Sequence, residues 1–267
     1  NLRPLAIRHF ALGLGIKVLY SVNLYVLIGL LAGYMIDLRG YQWYQGALVI
    51  SPGLAAMVAS LAVGTWLGTD GNRKLRMFLG LGGMAAATLA LSNVDVYTAK
   101  AWQAAVLCCW GAGAGLVCGP GLLTMFEGLS NEETLASAGV FNIARSLPAF
   151  LASGLLAVLV TQHADENFDW IRLKIRDNRP VVEQSMRQSH AHMIARGSSH
   201  DLAKKQTHAM LGQWVHANAR AYALQDALRI LAIVPCAGML LVLAVRIPSV
   251  EAARLRGRAA LKSQHVI

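Results

Sequence analysis

Three polar side chains interrupt long apolar runs in this sequence: Lys17, Asn142 and Arg145. An arginine in hydrocarbon costs about 2.5–3.5 kcal/mol on insertion scales, so it is retained where a partner or water offsets that cost. Asn142 and Arg145 stand one helical turn apart in the stretch VFNIARSLPAFLASG, and Tyr20 shares a helical face with Lys17. These four residues are candidates for lining a polar cavity or a gate.

Each of the two cations also has a purely structural interpretation. Lys17 is about seven residues into its apolar run, roughly 10 Å deep, and from there its ammonium group can reach back to the interface. Arg145 can brace helix ends by pairing with one of the acids before it in the chain, which are Glu127, Glu132 and Glu133. In either case we expect Arg145 to point into the helix bundle or a water-filled cavity rather than toward lipid.

Acidic residues are absent from the middle of every apolar run. Asp37, Glu127 and Asp226 all stand near run ends, and we retain Glu127 and Asp226 as further cavity or gate candidates. A proton-coupled carrier usually needs a carboxylate at mid-membrane. If the protein is such a carrier, we expect that carboxylate in a part of the protein outside this chain.

Histidines and cysteines favour neither a metal site nor a disulfide. Six of the eight histidines lie between residues 163 and 216, but His190 and His192 would point about 200° apart on a helix. A zinc pair prefers spacings of three or four residues. The four cysteines, Cys108, Cys109, Cys118 and Cys236, lie in apolar runs without metal-ligand spacing. We therefore predict no metal and no cofactor.

The elements that must position these residues are transmembrane helices. Of the 267 residues, 55% are hydrophobic and 14% are charged, and the mean hydropathy is +0.46. A helix needs about 20 apolar residues to cross hydrocarbon. Six runs qualify, at about residues 10–36, 44–67, 75–94, 101–126, 138–161 and 223–246. The sequence thus predicts an all-α membrane protein with six spans.

The Lys and Arg residues that give the net charge of +10 are distributed unequally between the two ends of the spans, and this inequality indicates the membrane topology. Short loops rich in Lys and Arg stay in the cytoplasm. The residues that fall on one side are Arg3, Arg8, Arg73, Lys74, Arg76, Arg246, Arg254, Arg256, Arg258 and Lys262, against only Arg39 and Lys100 in the short loops opposite. We therefore predict that both termini and the basic tail 247–267 are cytoplasmic. This placement also argues against a nucleic-acid partner.

Residues 162–222 form the one long segment between spans, and we expect it to stand on the outer surface as a helical hairpin. A segment of this length translocates largely regardless of its charge. The stretches DNRP at 177–180 and RGSSHD at 196–201 predict breaks between its helices.

Glycines are concentrated in the fourth span, in the stretch WGAGAGLVCGPG. Gly111, Gly115 and Gly119 follow small-xxx-small spacing, which lets another helix approach closely. Pro120 predicts a kink in the same helix. A phosphate-binding loop is excluded, because no strand precedes the glycines and no GK[ST] follows them.

Several stretches, taken in chain order, resemble one family. They are NLRPLAIRHFALG, QGALVISPGLAAMV, GTWLGTDGNRKL, GAGAGLVCGPG, ASAGVFNIARSLPAFLASG and AYALQDALRIL. Over nearly the whole chain they resemble the C-terminal half of a fourteen-span major facilitator transporter of the EmrB-like drug:proton antiporter kind. GTWLGTDGNRKL is similar to the cytoplasmic loop that joins helices two and three of a facilitator half.

The chain departs from this family in two places. The family loop has an aspartate four residues after its first glycine, Gly64, where this chain has Gly68 and carries its acid at Asp70 instead. Arg73 matches the usual base of the loop. In the fifth span the family favours a glycine pair where this chain has Leu147 and Pro148, which indicates a kinked helix there.

The resemblance implies secondary active export from the inner membrane of a bacterium. Two six-helix halves, each made of inverted three-helix repeats, would rock around a central site and exchange small molecules for protons. This chain would supply one half, which should not transport alone. The outer hairpin suggests docking to a periplasmic adaptor protein that bridges to an outer-membrane channel.

Two other function classes remain as alternatives. A membrane-embedded enzyme would need a nucleophile–base pair or a metal at depth, and no span has His, Asp or Glu near its middle. A six-span accessory or scaffold protein without transport activity of its own is the second alternative.

Overall fold

The structure, a computed structural model, describes residues 8–66, 73–95, 97–126 and 131–245. Within these ranges the chain forms helices and no β-strand. The α-helices are α1 (Arg8–Gly33), which continues as a π-helical turn over Tyr34–Leu38, α2 (Trp43–Trp66), α3 (Arg73–Leu91), α4 (Lys100–Phe126), α5 (Asn131–Asp177), α6 (Arg179–Ala195) and α7 (His200–Ala244). All of these except α6 are long and apolar enough to cross a membrane, which confirms the predicted all-α fold with six spans.

The fifth and sixth spans continue without interruption into the segment between them. We predicted boundaries near residues 161 and 222, but α5 has 47 residues and α7 has 45. Each is therefore roughly 70 Å long, more than twice the ~30 Å of hydrocarbon in a bilayer. No proline or glycine lies between 155 and 177 to end α5 earlier. Residues 162–222 are thus the ends of two long helices with the short α6 between them.

The extended ends of α5 and α7 pack against each other. Ile171 of α5 and Val215 and Ala219 of α7 form a small buried cluster. The ring of Phe168 stacks on the His216 ring at 4.5 Å between centroids. This second core holds the two helices together beyond the spans.

The two ends of the six-span bundle are held by different side chains. At one end, called the basic end here, Lys74 Nζ donates to the Leu243 carbonyl at 2.8 Å, and Arg76 Nη1 donates to the Gly64 carbonyl at 3.0 Å. Cations suit these positions, because the last carbonyls of a helix carry partial negative charge. At the opposite hairpin end, Arg39 Nη1 donates to the Thr98 carbonyl at 2.7 Å.

The contacts arrange the spans in two rows. In the first row α2, α4, α1 and α5 are neighbours in that order, and in the second row α3 and α7 pack against α4 and α1 and against each other. The helix α2 hardly touches its chain neighbour α1 and packs on α4 instead, just as α5 packs on α1. The middle helix of the first three spans, α2, therefore packs on the second three spans, and the middle helix of the second three, α5, packs on the first three.

Close backbone contacts of α4 set this arrangement. A Cβ atom on Gly111 would lie 1.9 Å from the Gly53 carbonyl oxygen of α2, and one on Gly115 would lie 1.9 Å from Ser60 Oγ. On the α3 side, a Cβ on Gly113 would lie 2.6 Å from the Gly80 carbonyl oxygen. Only glycine permits backbones to approach this closely.

Not every member of the predicted glycine stripe is needed for packing. A Cβ on Gly119 would meet only a Leu61 methyl group at 3.6 Å, which is an ordinary contact. Helix α4 also continues through Pro120 as far as Phe126, and α5 continues through Pro148. The prolines therefore lie within helices rather than at their ends.

We expect Gly111→Ala to lower the free energy of unfolding by about 1–3 kcal/mol, because the new methyl group must push α4 away from α2. The change is measured as the thermal unfolding midpoint of the detergent-solubilised protein. Gly121→Ala is the matched control, since nothing lies within 4 Å of its Cβ position. Equal midpoints for the two variants would contradict the close α2–α4 contact.

Candidate substrate site

Lys17 packs against aromatic rings of two helices. Its Nζ lies 4.4 Å from the centroid of the Tyr20 ring on α1 and 5.5 Å from that of Phe141 on α5. Both distances fall within the range of cation–π attraction. Lys17 is half-buried and Tyr20 is 2% exposed, so the ammonium group lies at the seam between α1 and α5.

Arg145 and Asn142 stand beside this seam on α5, and both side chains are exposed. Arg145 lies within electrostatic range of Lys17. Arg145 is not in an ion pair with any carboxylate among the described side chains, but Glu127 and the Glu132 side chain lie outside the described part of the chain. The bracing role therefore stays a prediction. The described residues of this chain leave the Arg145 side chain uncovered, so its orientation toward the helix bundle or a water-filled cavity stays a prediction.

Aromatic rings continue from this seam to the basic end. The Phe141 and Phe126 ring centroids are 6.0 Å apart, and those of Phe126 and Phe10 are 6.5 Å apart. Such tilted and edge-on pairs are favourable at these distances. The rings connect α5, α4 and α1, which places an apolar wall next to the two cations.

Asp226 does not belong to the same site. It accepts from Arg229 Nη1 at 2.9 Å and lies 3.9 Å from Nδ1 of His163 on α5. His163 follows Arg145 by 18 residues on one continuous helix, a separation of roughly 27 Å. The structure therefore brings together Lys17, Tyr20, Asn142 and Arg145, and it separates Asp226 from them.

Two of the remaining candidates, Gly64 and Arg73, lie at the basic end. Glu127 and Asp70 fall outside the described residues. Arg73 is the first residue of α3, and the Gly64 carbonyl accepts from Arg76 Nη1. Among the described residues, no three His, Cys, Asp or Glu side chains are grouped as metal ligands.

A comparison with known protein families matches residues 2–153 to the family described as the Major Facilitator Superfamily. The chain belongs to the Major Facilitator Superfamily. The match covers α1 to α4 and the first half of α5. Members of this superfamily are secondary transporters rather than enzymes, and the six apolar helices agree with a multi-pass membrane protein of this class. A search of curated proteins gives no match to this chain.

The row arrangement agrees with the superfamily architecture. A facilitator half consists of two three-helix repeats with inverted topology. Such repeats relate α1 to α4, α2 to α5 and α3 to α7. The packing of α2 on α4 then corresponds to that of α5 on α1, and α3 on α4 corresponds to α7 on α1.

Sequence reasoning missed a buried polar group in the middle of this facilitator bundle. Asn23 of α1 is 0% exposed and accepts from Trp110 Nε1 of α4 at 2.9 Å. Its Nδ2 donates to Thr88 Oγ1 of α3 at 3.3 Å and to the Leu231 carbonyl of α7 at 3.4 Å. One side chain thus joins four helices. The available signal was a lone amide in the first apolar run.

We expect Asn23→Ala to lower the free energy of unfolding by about 1–3 kcal/mol, because it leaves the buried Trp110 N–H without an acceptor. The thermal midpoint in detergent measures the change. Asn218→Ala is the control, since that amide only donates to Trp214 on its own helix outside the bundle and should change stability by less than about 0.5 kcal/mol. An Asn23 variant as stable as this control would argue against the four-helix contact.

Proposed function

We propose that this chain forms the C-terminal half of a proton-coupled exporter of drugs or other amphipathic small molecules. Membership of the superfamily supports secondary transport. The order of stretches that resemble EmrB-like antiporters supports export in exchange for protons. The observation that carries the proposal is the exposure of α2 and α5, the two end helices of the row α2, α4, α1 and α5. A second set of helices would cover them.

The exposure of the spans supports a missing second half. In the most apolar window of α2 only 17% of residues are buried, and in that of α5 only 11%, against 39–44% in the other four spans. Large apolar side chains such as Leu54, Leu147 and Phe150 are exposed on these two helices. In a two-half transporter the helices at the ends of the row would contact the other half.

The proposed orientation follows the basic residues. We infer that the basic end faces the cytoplasm of a bacterial cell and that the hairpin end faces the periplasm. The described spans hold no Asp or Glu near their middle, and so we assign the proton-coupling carboxylate to the other half. Alternating access would then move substrate past the seam of α1 and α5.

Proton coupling is tested with the full-length gene product that contains this chain, in inverted membrane vesicles. We expect a compound panel to include substrates whose uptake stops when nigericin collapses the pH gradient. Arg145→Ala should reduce that uptake at least tenfold, because it removes an exposed cation from the proposed substrate path.

The control for this experiment is Arg179→Ala, which alters a surface ion pair of α6 far from the spans and should leave uptake unchanged. Uptake that persists without a pH gradient would overturn proton coupling. A protein that moves no compound under any ion gradient would favour the accessory or scaffold alternative.

The hairpin end supplies a second proposal, a docking site for a periplasmic adaptor protein. A cleft of about 1030 Å³ lies between the extended α5, α6 and α7. Glu183 on its wall pairs with Arg179 and Arg187, whereas Arg172 and Arg176 have no described ion-pair partner. Apolar side chains, including Leu173 and Met186, complete the lining. This combination suits an acidic amphipathic helix of the adaptor.

We expect the double substitution Arg172→Glu and Arg176→Glu to abolish co-purification with a co-expressed periplasmic adaptor, because like charges would then meet. The control is Lys204→Glu with Lys205→Glu, which reverses two nearby exposed charges outside the cleft. Charge reversal is preferable to deletion of 162–222, since a deletion would cut α5 and α7. Co-purification that survives the arginine changes would refute this docking site.

A further inference from the structure

The seam between α1 and α5 holds two cations, Lys17 and Arg145, for which the described residues supply no ion-pair partner. The two side chains lie within electrostatic range of each other. Two like charges in a low-dielectric setting repel each other and lose hydration. A neighbouring anion would offset both effects.

Among the described residues the Lys17 ammonium forms no hydrogen bond, although the Cys118 thiol lies within electrostatic range of it. The Lys17 ammonium has three N–H donors, and its described contacts are the faces of Tyr20 and Phe141 rather than oxygen acceptors. Asn142 stands three residues before Arg145, with its side chain exposed. No side-chain hydrogen bond to an acceptor is described for Lys17, Asn142 or Arg145.

The same seam provides an apolar surface for the rest of a ligand. Phe141 and Phe126 pack against each other at 6.0 Å, next to the Lys17 ammonium. Rings at this position can stack against an aromatic or alicyclic body. A cationic ligand would instead meet the unpaired charges of Lys17 and Arg145.

We infer that Lys17 and Arg145 together bind the carboxylate of an amphipathic organic acid, whose apolar body lies against Phe141. This inference rests on the proposed export function and deepens it, because it names organic anions as the substrate class. Asn142 can donate to the same carboxylate. A lipid phosphate could occupy the seam by the same chemistry, so the experiment must separate the two sources.

Binding is measured by calorimetry on the full-length protein in nanodiscs of pure phosphatidylcholine. The probes share one ring system: naphthoate, neutral naphthamide and naphthyl-trimethylammonium. We expect naphthoate to bind at least tenfold more tightly than the other two. Equal or tighter binding of the ammonium probe would overturn the inference.

Lys17→Gln and Arg145→Gln should each weaken naphthoate binding about tenfold and leave naphthamide binding unchanged. Lys17→Arg should retain most of the affinity, since it keeps the charge and the donors. The matched control is Lys100→Gln, because Lys100 Nζ also lies 4.4 Å from a tyrosine ring, that of Tyr41, at the hairpin end. Unchanged naphthoate affinity in both glutamine variants would refute the inference.

A lipid arm uses nanodiscs that contain phosphatidylglycerol. If both glutamine variants lose phosphatidylglycerol binding but keep naphthoate binding, the seam is a lipid site and the inference fails. Failure of the export proposal is distinguishable from failure of this inference. In that case naphthoate would bind as expected, but the full-length protein would show no proton-dependent uptake. Proton-dependent export of cations that tolerates both glutamine variants would refute only the organic-anion inference.

Discussion

The close approach of α4 to α2 and α3 determines where the other helices can lie. At Gly111, Gly113 and Gly115 the backbones are so near that a single methyl group would overlap a neighbouring carbonyl or hydroxyl oxygen. Inside a membrane there is little hydrophobic force between helices, so such packing contacts carry much of the association energy. With α2 and α3 packed on α4, the helices α5 and α7 complete the two rows by packing on α1.

The polar residues within the spans fall into two kinds. Asn23 is fully buried and hydrogen-bonded to three other helices, which is the usual condition for a polar group in hydrocarbon. Lys17 and Arg145 are not satisfied in this way by the described residues. That contrast separates a side chain that holds the bundle together from side chains available to a ligand or to another half of the transporter.

The two long helices connect the bundle to the hairpin end. Because α5 passes without a break from Asn142 through His163 to Ile171, the α1–α5 seam and the cleft between α5, α6 and α7 lie on one continuous helix. A tilt of α5 against α1 would move both together. The His163–Asp226 contact, at 3.9 Å, joins α5 to α7 midway between these regions.

The amino-acid sequence by itself determined the number of spans and the all-α class, because runs of about 20 apolar residues have few alternatives to membrane helices. It also identified Lys17 and Arg145 as unusual, since a charge in such a run is costly wherever it lies. Tertiary structure alone decided that Gly115 needs to be glycine whereas Gly119 does not, that Asn23 joins four helices, and that Asp226 is remote from Arg145. These properties depend on which helices are neighbours and on where along the bundle axis they meet. The spacing of residues along one helix carries no information about either.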